Sequence, residues 1–357
     1  MTNVIDLYSD YLIVNHGQAT ATGLSNLLDN EIKHDTITRH LSSKDFTSKD
    51  LWKNVKSMVQ NVKGIDAVFI VDDTVEAKPY MDENDLICWH YDHCLGRSIK
   101  GINQLTGLYY NQNVSVPVCY SLITKPTIIT DTKTGKSKRV SDITKQDLFR
   151  NLIKQSIDNN LIFRYILADS WFCSVENMNF ISALQSHFIF PLKVNRKIYL
   201  SESDKALGLH QSIELLAFEE NQCLLVWLDG VDFPLSLTKQ LFKNGDANEA
   251  VLYLTSNDLT TDAASIQTYY AKRWKIEEFH KSIKSNLGYS QSPAHTVRTQ
   301  SNHLFLTMLA FVKIESLKIS QKTNHFALKK RLALNALKVA WVNLQAYKEN
   351  NLSIKYA

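Results

Sequence analysis

Two aspartates and a glutamate stand out in this 357-residue sequence because of where they sit. Asp72 and Asp169 each follow an apolar run, AVFIV before the first and YILA before the second, so each falls where a buried strand would end. Glu277 lies within TYYAKRWKIEEFHKSIKSNLG, with Tyr270 and Arg273 before it and Lys284 after it. Counted from Tyr270, the offsets of Arg273, Glu277 and Lys284 are 3, 7 and 14 residues. At ~100° per residue these four share a stripe roughly 60° wide on one helix, while Ile276, Phe279, Ile283 and Leu287 gather on another face. Such a helix packs by one face and presents an acid, two cations and a phenol on the other, groups able to hold a cation or grip an anion. Taken singly, each feature has an ordinary explanation. A strand-end acid commonly serves a turn, and a charged stripe commonly supports a solvated helix through i,i+4 pairs.

Other chemically capable groups carry weaker signals. CWHYDHC, from Cys88 to Cys94, holds two thiols and two imidazoles, but its spacing departs from the paired C-x2-C and H-x3-H arrangements of zinc sites. In a strand its alternate residues would also face opposite sides, so zinc is not expected there. Trp171 and Trp227 offer faces on which an unpaired base could stack, although core packing is the commoner use of such rings. His280, one turn after Glu277, is expected as a surface or supporting residue outside the catalytic set.

The elements that must position these residues follow from apolar periodicity. Residues 15–43 read as two short helices, the second starting near His34 and turning Thr36, Thr38, Arg39 and His40 outward. Short polar and basic side chains on an exposed helix suit phosphates and base edges, as in a helix-turn-helix, so Thr38 and Arg39 are candidate DNA contacts. GIDAVFIVDDT is a buried strand, and GINQLTGLYY and VSVPVCYSLI form a hairpin about Asn111, Gln112 and Asn113. A polar stretch from Thr130 to Lys145 reads as a surface loop, followed by a helix from Asp147 to Asn159 and a second buried strand in FRYILADSWF. Strand, hairpin, helix and strand describe a mixed α/β sheet. From Ser186 to Leu254, short strand-like runs indicate a β-rich insertion; residues 261–287 follow as one long helical pattern, then an apolar helix at His303 to Leu317 and a Lys-rich tail.

Composition sets the frame. Hydrophobic residues make up 44% and charged residues 21%, the balance of a globular chain of about two domains. A net charge of +4 permits a polyanionic partner without announcing one. Five scattered cysteines read as reduced thiols, and the opening MTNVIDLYSDYL lacks the basic start of a signal peptide, so a cytoplasmic location is expected, nucleoid-associated when bound to DNA.

Together, Asp72 in DDT, Asp169 in ADSWF and the pattern Y-x2-R-x3-E-x6-K at Tyr270, Arg273, Glu277 and Lys284 resemble the DDE transposases of bacterial insertion sequences. The similar branch is the insertion sequence four (IS-four) family, which carries this Y-R-E-K signature. The resemblance runs from ITRHLS through the β-rich stretch to QSNHLFLTMLAFVKIE and covers most of the chain. It implies an α/β fold: an RNase H-like mixed-sheet catalytic core with a β-rich insertion, flanked by helical N-terminal and C-terminal segments. The expected boundaries are a helix-turn-helix-like DNA-binding segment at 1–60, core at 61–190, insertion at 191–255, core with the signature helix at 256–320, and a helical tail at 321–357.

The resemblance further implies Asp72, Asp169 and Glu277 as catalytic metal ligands. Family patterns read Asp, any residue, then Thr or Ser, which selects Asp72 with Thr74; Asp73 stays as the alternative. Three hard oxygen donors suit Mg2+ or Mn2+, and two such ions can activate water and stabilise the leaving alkoxide of a phosphodiester. Tyr270, Arg273 and Lys284 would hold the DNA backbone. The expected activity is cut-and-paste transposition: binding of terminal inverted repeats, hydrolytic cleavage and strand transfer into target DNA, by a homodimer on paired ends. Two alternatives share these residues: a catalytically inactive DNA-binding regulator, and an RNase H-like nuclease without strand transfer.

Overall fold

The computed structural model of the chain describes residues 4–92, 95–243 and 249–355. Helices α1 (Val4–Val14), α2 (Ala21–Leu27) and α3 (His34–Ser42) open it, and α4 (Ser48–Val62) leads into β1 (Val68–Ala77), β2 (Cys88–Asp92), β3 (Arg97–Asn111) and β4 (Val114–Leu122). Then come β5 (Thr127–Thr130), β6 (Ser137–Val140), α5 (Lys145–Asp158), β7 (Tyr165–Leu167), α6 (Val175–Ala183) and β8 (His187–Leu192). β9 (Lys197–Ile198), α7 (Glu202–Leu207), β10 (Gln211–Ser212), β11 (Leu224–Val226), β12 (Leu235–Lys243) and β13 (Glu249–Ser256) follow. α8 (Ala263–Ala271), α9 (Trp274–Asn286), α10 (Val297–Gln321) and α11 (His325–Lys355) end the chain. The contacts divide it into two units, Met1–Thr47 with Phe279–Ala357, and Ser48–Glu278.

In the second unit, nine strands among the described residues form one sheet in the order β11, β12, β13, β8, β7, β1, β3, with β2 and β4 sharing the far edge of β3. β1 pairs in parallel with β7, and β7 with β8; the other pairings are antiparallel. Ala67 to Val71 are fully buried, as an apolar run covered on both sheet faces should be. Gln112 and Asn113, both at positive φ, make the two-residue turn that brings β4 back along β3. Gly107 lies opposite Val71, where a Cβ would meet the Phe69 ring at 2.6 Å and the Cys119 sulfur, so only glycine lets β3 pass this close. A meander of β1, β3 and β4 beside two strands parallel to β1 is the RNase H-like arrangement.

The strands between Asp169 and Glu277 extend that sheet. β13 pairs with β8 from Tyr253 opposite Leu192 to Ser256 opposite Ile189, and β12 and β11 continue outward. Two sequence expectations need correction. The stretch after Thr130 is not a loop: it closes the β5–β6 hairpin, with Thr127 opposite Val140 and Thr130 opposite Ser137. The helical pattern of 261–287 is also two helices. Around Lys272, the i→i−3 bonds Arg273 N to Tyr270 O, Lys275 N to Lys272 O and Ile276 N to Arg273 O tighten the turn and re-aim the chain between α8 and α9.

In the first unit α10 packs against α1, α3 and α11. Asn302 on α10 donates to the carbonyls of Leu41 and Lys44 and accepts from the N–H of Phe46, whose ring stacks on Phe305 at 4.8 Å. These contacts fix the end of α3. The α2–α3 turn carries Asp29 and Asn30 in the left-handed region, and Ser25 donates to the carbonyl of Ile32 across it. Among the described residues no helix is long and apolar enough to cross a membrane.

Candidate active site

The register of β1 against β7 brings two acids to one level. Ile70 is opposite Leu167, and two residues further along each parallel strand stand Asp72 and Asp169. Asp169 follows the carboxyl end of β7, but Asp72 lies mid-strand: β1 does not end there as its apolar run suggests and continues to Ala77, paired with β3 beyond its last parallel pair at Ile70. Asp169 is held by its own turn: its Oδ1 accepts from the N–H of Trp171 at 3.0 Å and its carbonyl from that of Phe172 at 3.2 Å.

α8 and α9 bring the remaining groups over this end of the sheet. Nη1 of Arg273 donates to Oδ2 of Asp72 at 3.2 Å and to Oε1 of Glu277 at 3.4 Å. The carboxylates of Asp72 and Glu277 each offer an oxygen within 4.8 Å of the other. Tyr270 donates to the carbonyl of Ala168, beside Asp169, at 3.5 Å, and burial pushes its phenol well above the usual range. Asp72, Asp169, Glu277, Arg273 and Tyr270 are thus brought together, and the break at Lys272 re-aims Tyr270 and Arg273 without separating them from Glu277.

Electrostatically the site is short of positive charge. Burial, then the neighbouring carboxylates of Asp169 and Asp73, push Asp72 up to about 8, with Arg273 opposing them. Asp169 is also raised, first by burial. Carboxylates crowded in this way favour a proton or a cation, and an all-oxygen set fits a hard divalent ion. Beside them, Asp169, Ser170, Tyr270 and Pro191 to Asn195 line an open cleft of about 640 Å³.

The family described as Transposase DDE domain matches residues 120–312, and that described as DDE superfamily endonuclease matches residues 3–206. The chain belongs to the DDE transposase family. Asp72 falls within the second match, Glu277 within the first and Asp169 within both. No curated protein matches the chain. Membership makes it a transposase-type nuclease that acts on DNA.

Within this family member, strand alternation separates the two adjacent candidates for the first acid. Asp72 shares a face with Ile70 and meets Arg273 from α9's side. Asp73 points to the opposite face, where Nζ of Lys145, the first residue of α5, pairs with it at 2.8 Å. Lys145 was invisible to sequence reasoning, because it lies 72 residues from Asp73 and no spacing rule links them.

The other expected residues stand elsewhere. Thr38 and Arg39 are exposed on α3 in the first unit. Lys284 is half-buried near the end of α9, in the part that clusters with that unit. His280 is buried, which leaves the supporting rather than the surface alternative. Trp171 is 46% exposed and Trp227 half-buried in a bridge to Tyr199. Cys88 and His90 lie buried with Sγ and Nε2 3.2 Å apart, and burial holds His90 down at about 3; His93 and Cys94, the rest of that motif, lie outside the described residues.

Proposed function

We propose that this DDE family member is a cut-and-paste transposase of the insertion sequence four branch. The observation that carries the reading is the bridging of Asp72 and Glu277 by the Arg273 guanidinium, with Asp169, at the same level on the neighbouring strand, close enough to help burial raise Asp72. Asp72, Asp169 and Glu277 would hold Mg2+ or Mn2+, two ions in the fullest form. Bound there, the metal supplies an activated water and charge stabilisation for the departing oxygen.

The chain's own residues do the positioning. Arg273 keeps the strand acid and the helix acid in fixed relation and presents its remaining N–H groups to a phosphate, which a guanidinium grips by a fork. Tyr270, tied to the carbonyl before Asp169, holds the Asp169 turn against α8. Lys284 adds a point charge further along α9, and Thr38 and Arg39 read the terminal inverted repeats from α3. A homodimer would pair the two ends.

The test is incubation of the protein with Mg2+ and a duplex carrying the inverted repeats that flank its reading frame, with a supercoiled plasmid as target. Metal-dependent cleavage at the repeat ends followed by joining to the plasmid is the expected result. Cleavage without joining would leave a nuclease, and repeat binding without cleavage a regulator.

A further inference from the structure

The geometry points to the β5–β6 hairpin as a DNA-gripping arm that binds duplex phosphates away from the acids, independently of sequence. This rests on DNA being the substrate, as above. The hairpin has an anchored side and a charged side. Ile128 opposite Arg139 and Ile129 opposite Lys138 alternate between its faces. Arg139 ties the first face down: it pairs with Asp85 at 2.8 Å and Glu83 at 3.5 Å, and donates to the carbonyl of Lys125 at 3.2 Å. Lys138 belongs to the other face, as does Lys136, whose carbonyl accepts from the N–H of Asp131.

The tip is stiffened rather than loose. Gly135, at positive φ, donates to the carbonyl of Asp131, whose Oδ1 accepts from the N–H groups of Lys133 and Thr134 at 2.8 and 2.9 Å. The one acid at the tip is thereby turned into its own turn. Lys133, Lys136 and Lys138 are all exposed, with Lys138 close enough to the Asp131 carboxylate to help the Thr134 and Lys133 N–H groups lower its pKa. Lys136, just before β6, and Lys138 within it stand two residues apart, roughly 6.8 Å in extended chain, so both cations can reach phosphates of one strand. A two-stranded ribbon is also of a size that the major groove admits.

Position ties the arm to the chemistry. Four residues of chain separate Val140 from Lys145, at most about 18 Å, and Lys145 is paired with Asp73, the neighbour of Asp72.

The experiment uses the full chain with Lys133→Ala, Lys136→Ala and Lys138→Ala combined, and a matched triple Lys→Arg variant. Binding to a fluorescein-labelled random-sequence duplex of about 30 base pairs and to a repeat-bearing duplex is followed by anisotropy over a salt series. Each lost phosphate contact removes ~0.9 from the slope of log K against log salt, so the Ala triple should bind both duplexes more weakly with a slope shallower by about 2.7, and the Arg triple should match wild type. Unchanged affinity and slope in the Ala triple would overturn the inference, as would a loss confined to the repeat-bearing duplex. Failure of the transposase reading is separate: it would show as a wild-type protein that does not cleave, with this binding difference intact.

Discussion

Arg273 and Asp72, 201 residues apart in the chain, meet at 3.2 Å, and the same guanidinium nitrogen reaches Glu277 at 3.4 Å. A mid-strand acid and a helix acid are therefore locked together by a third side chain, itself only 18% exposed. Burial makes this more than a surface pair, since exposed ion pairs contribute little and removal of one partner here leaves a buried charge uncompensated.

Removing that guanidinium should cost rate more than metal binding. Arg273→Ala is expected to slow cleavage of a pre-bound duplex about ten- to hundredfold, the scale of one charge-assisted contact of ~1.5–3 kcal/mol. Arg273→Lys should recover part of it, because an ammonium can bridge the two carboxylates as Nη1 does but cannot also present a planar fork to a phosphate. The check is cleavage rate against Mg2+ concentration. A wild-type rate in the Ala variant would reduce Arg273 to a structural cation.

The three acids should behave as a set. Asp72→Asn, Asp169→Asn and Glu277→Gln are each expected to abolish metal-dependent cleavage while DNA binding persists, because one lost oxygen donor disables the shared site. Gel assays of cleavage and binding on the same preparations decide it, and any variant that still cleaves with Mg2+ removes its residue from the site.

Asp73 provides the internal control. Its carboxylate faces Lys145 across the sheet from Arg273, so Asp73→Asn should free Lys145 and leave measurable cleavage where Asp72→Asn leaves none. Equal inactivation by the two substitutions would show that both faces of β1 serve the reaction.

What could be read before folding, and what could not, follows from the same residues. Asp72 and Asp169 were visible because each ends a run of residues with no exposed face, and such runs become interior strands. The different partners of Asp72 and Asp73 depend on which helix covers which face of β1, information absent from local pattern. The break at Lys272 carries no Gly or Pro to announce it. The stretch from Thr130 to Lys145 reads as a loop although it holds β6, because the hairpin's residues are nearly all exposed and show no alternation of apolar and polar.

End recognition should be separable from chemistry. Thr38 and Arg39 are exposed on α3, which Ile37 and Leu41 anchor by their burial, so replacing both with Ala should spare the fold. Weaker binding to the terminal repeats, with little change for random-sequence duplex, is expected. Parallel titrations of the two duplexes test this; a variant that binds repeats as wild type does would move end recognition off α3.

The last expectation concerns stability, where the crowded acids should leave a signature that metal reverses. Asp72 is pushed from its ordinary 3.8 to about 8, so the folded protein keeps a proton that the unfolded chain releases. The sign follows: this group's contribution is fully present below about 4 and is lost as pH rises through about 8. At ~1.4 kcal/mol per pKa unit the span amounts to a few kcal/mol, drawn from a side chain only 12% exposed. Wild-type protein should therefore lose stability between pH 5 and pH 8 by more than Asp72→Asn does, and the variant should be the more stable of the two at pH 8. Mg2+ binds the ionised carboxylates and not the unfolded chain, so millimolar Mg2+ should restore wild-type stability at pH 8 and do little for the variant. Urea unfolding at the two pH values, with and without Mg2+, measures all four quantities. If wild type and Asp72→Asn lost stability equally with pH, the destabilising charge would lie elsewhere; if Mg2+ stabilised both equally, its binding would not depend on Asp72.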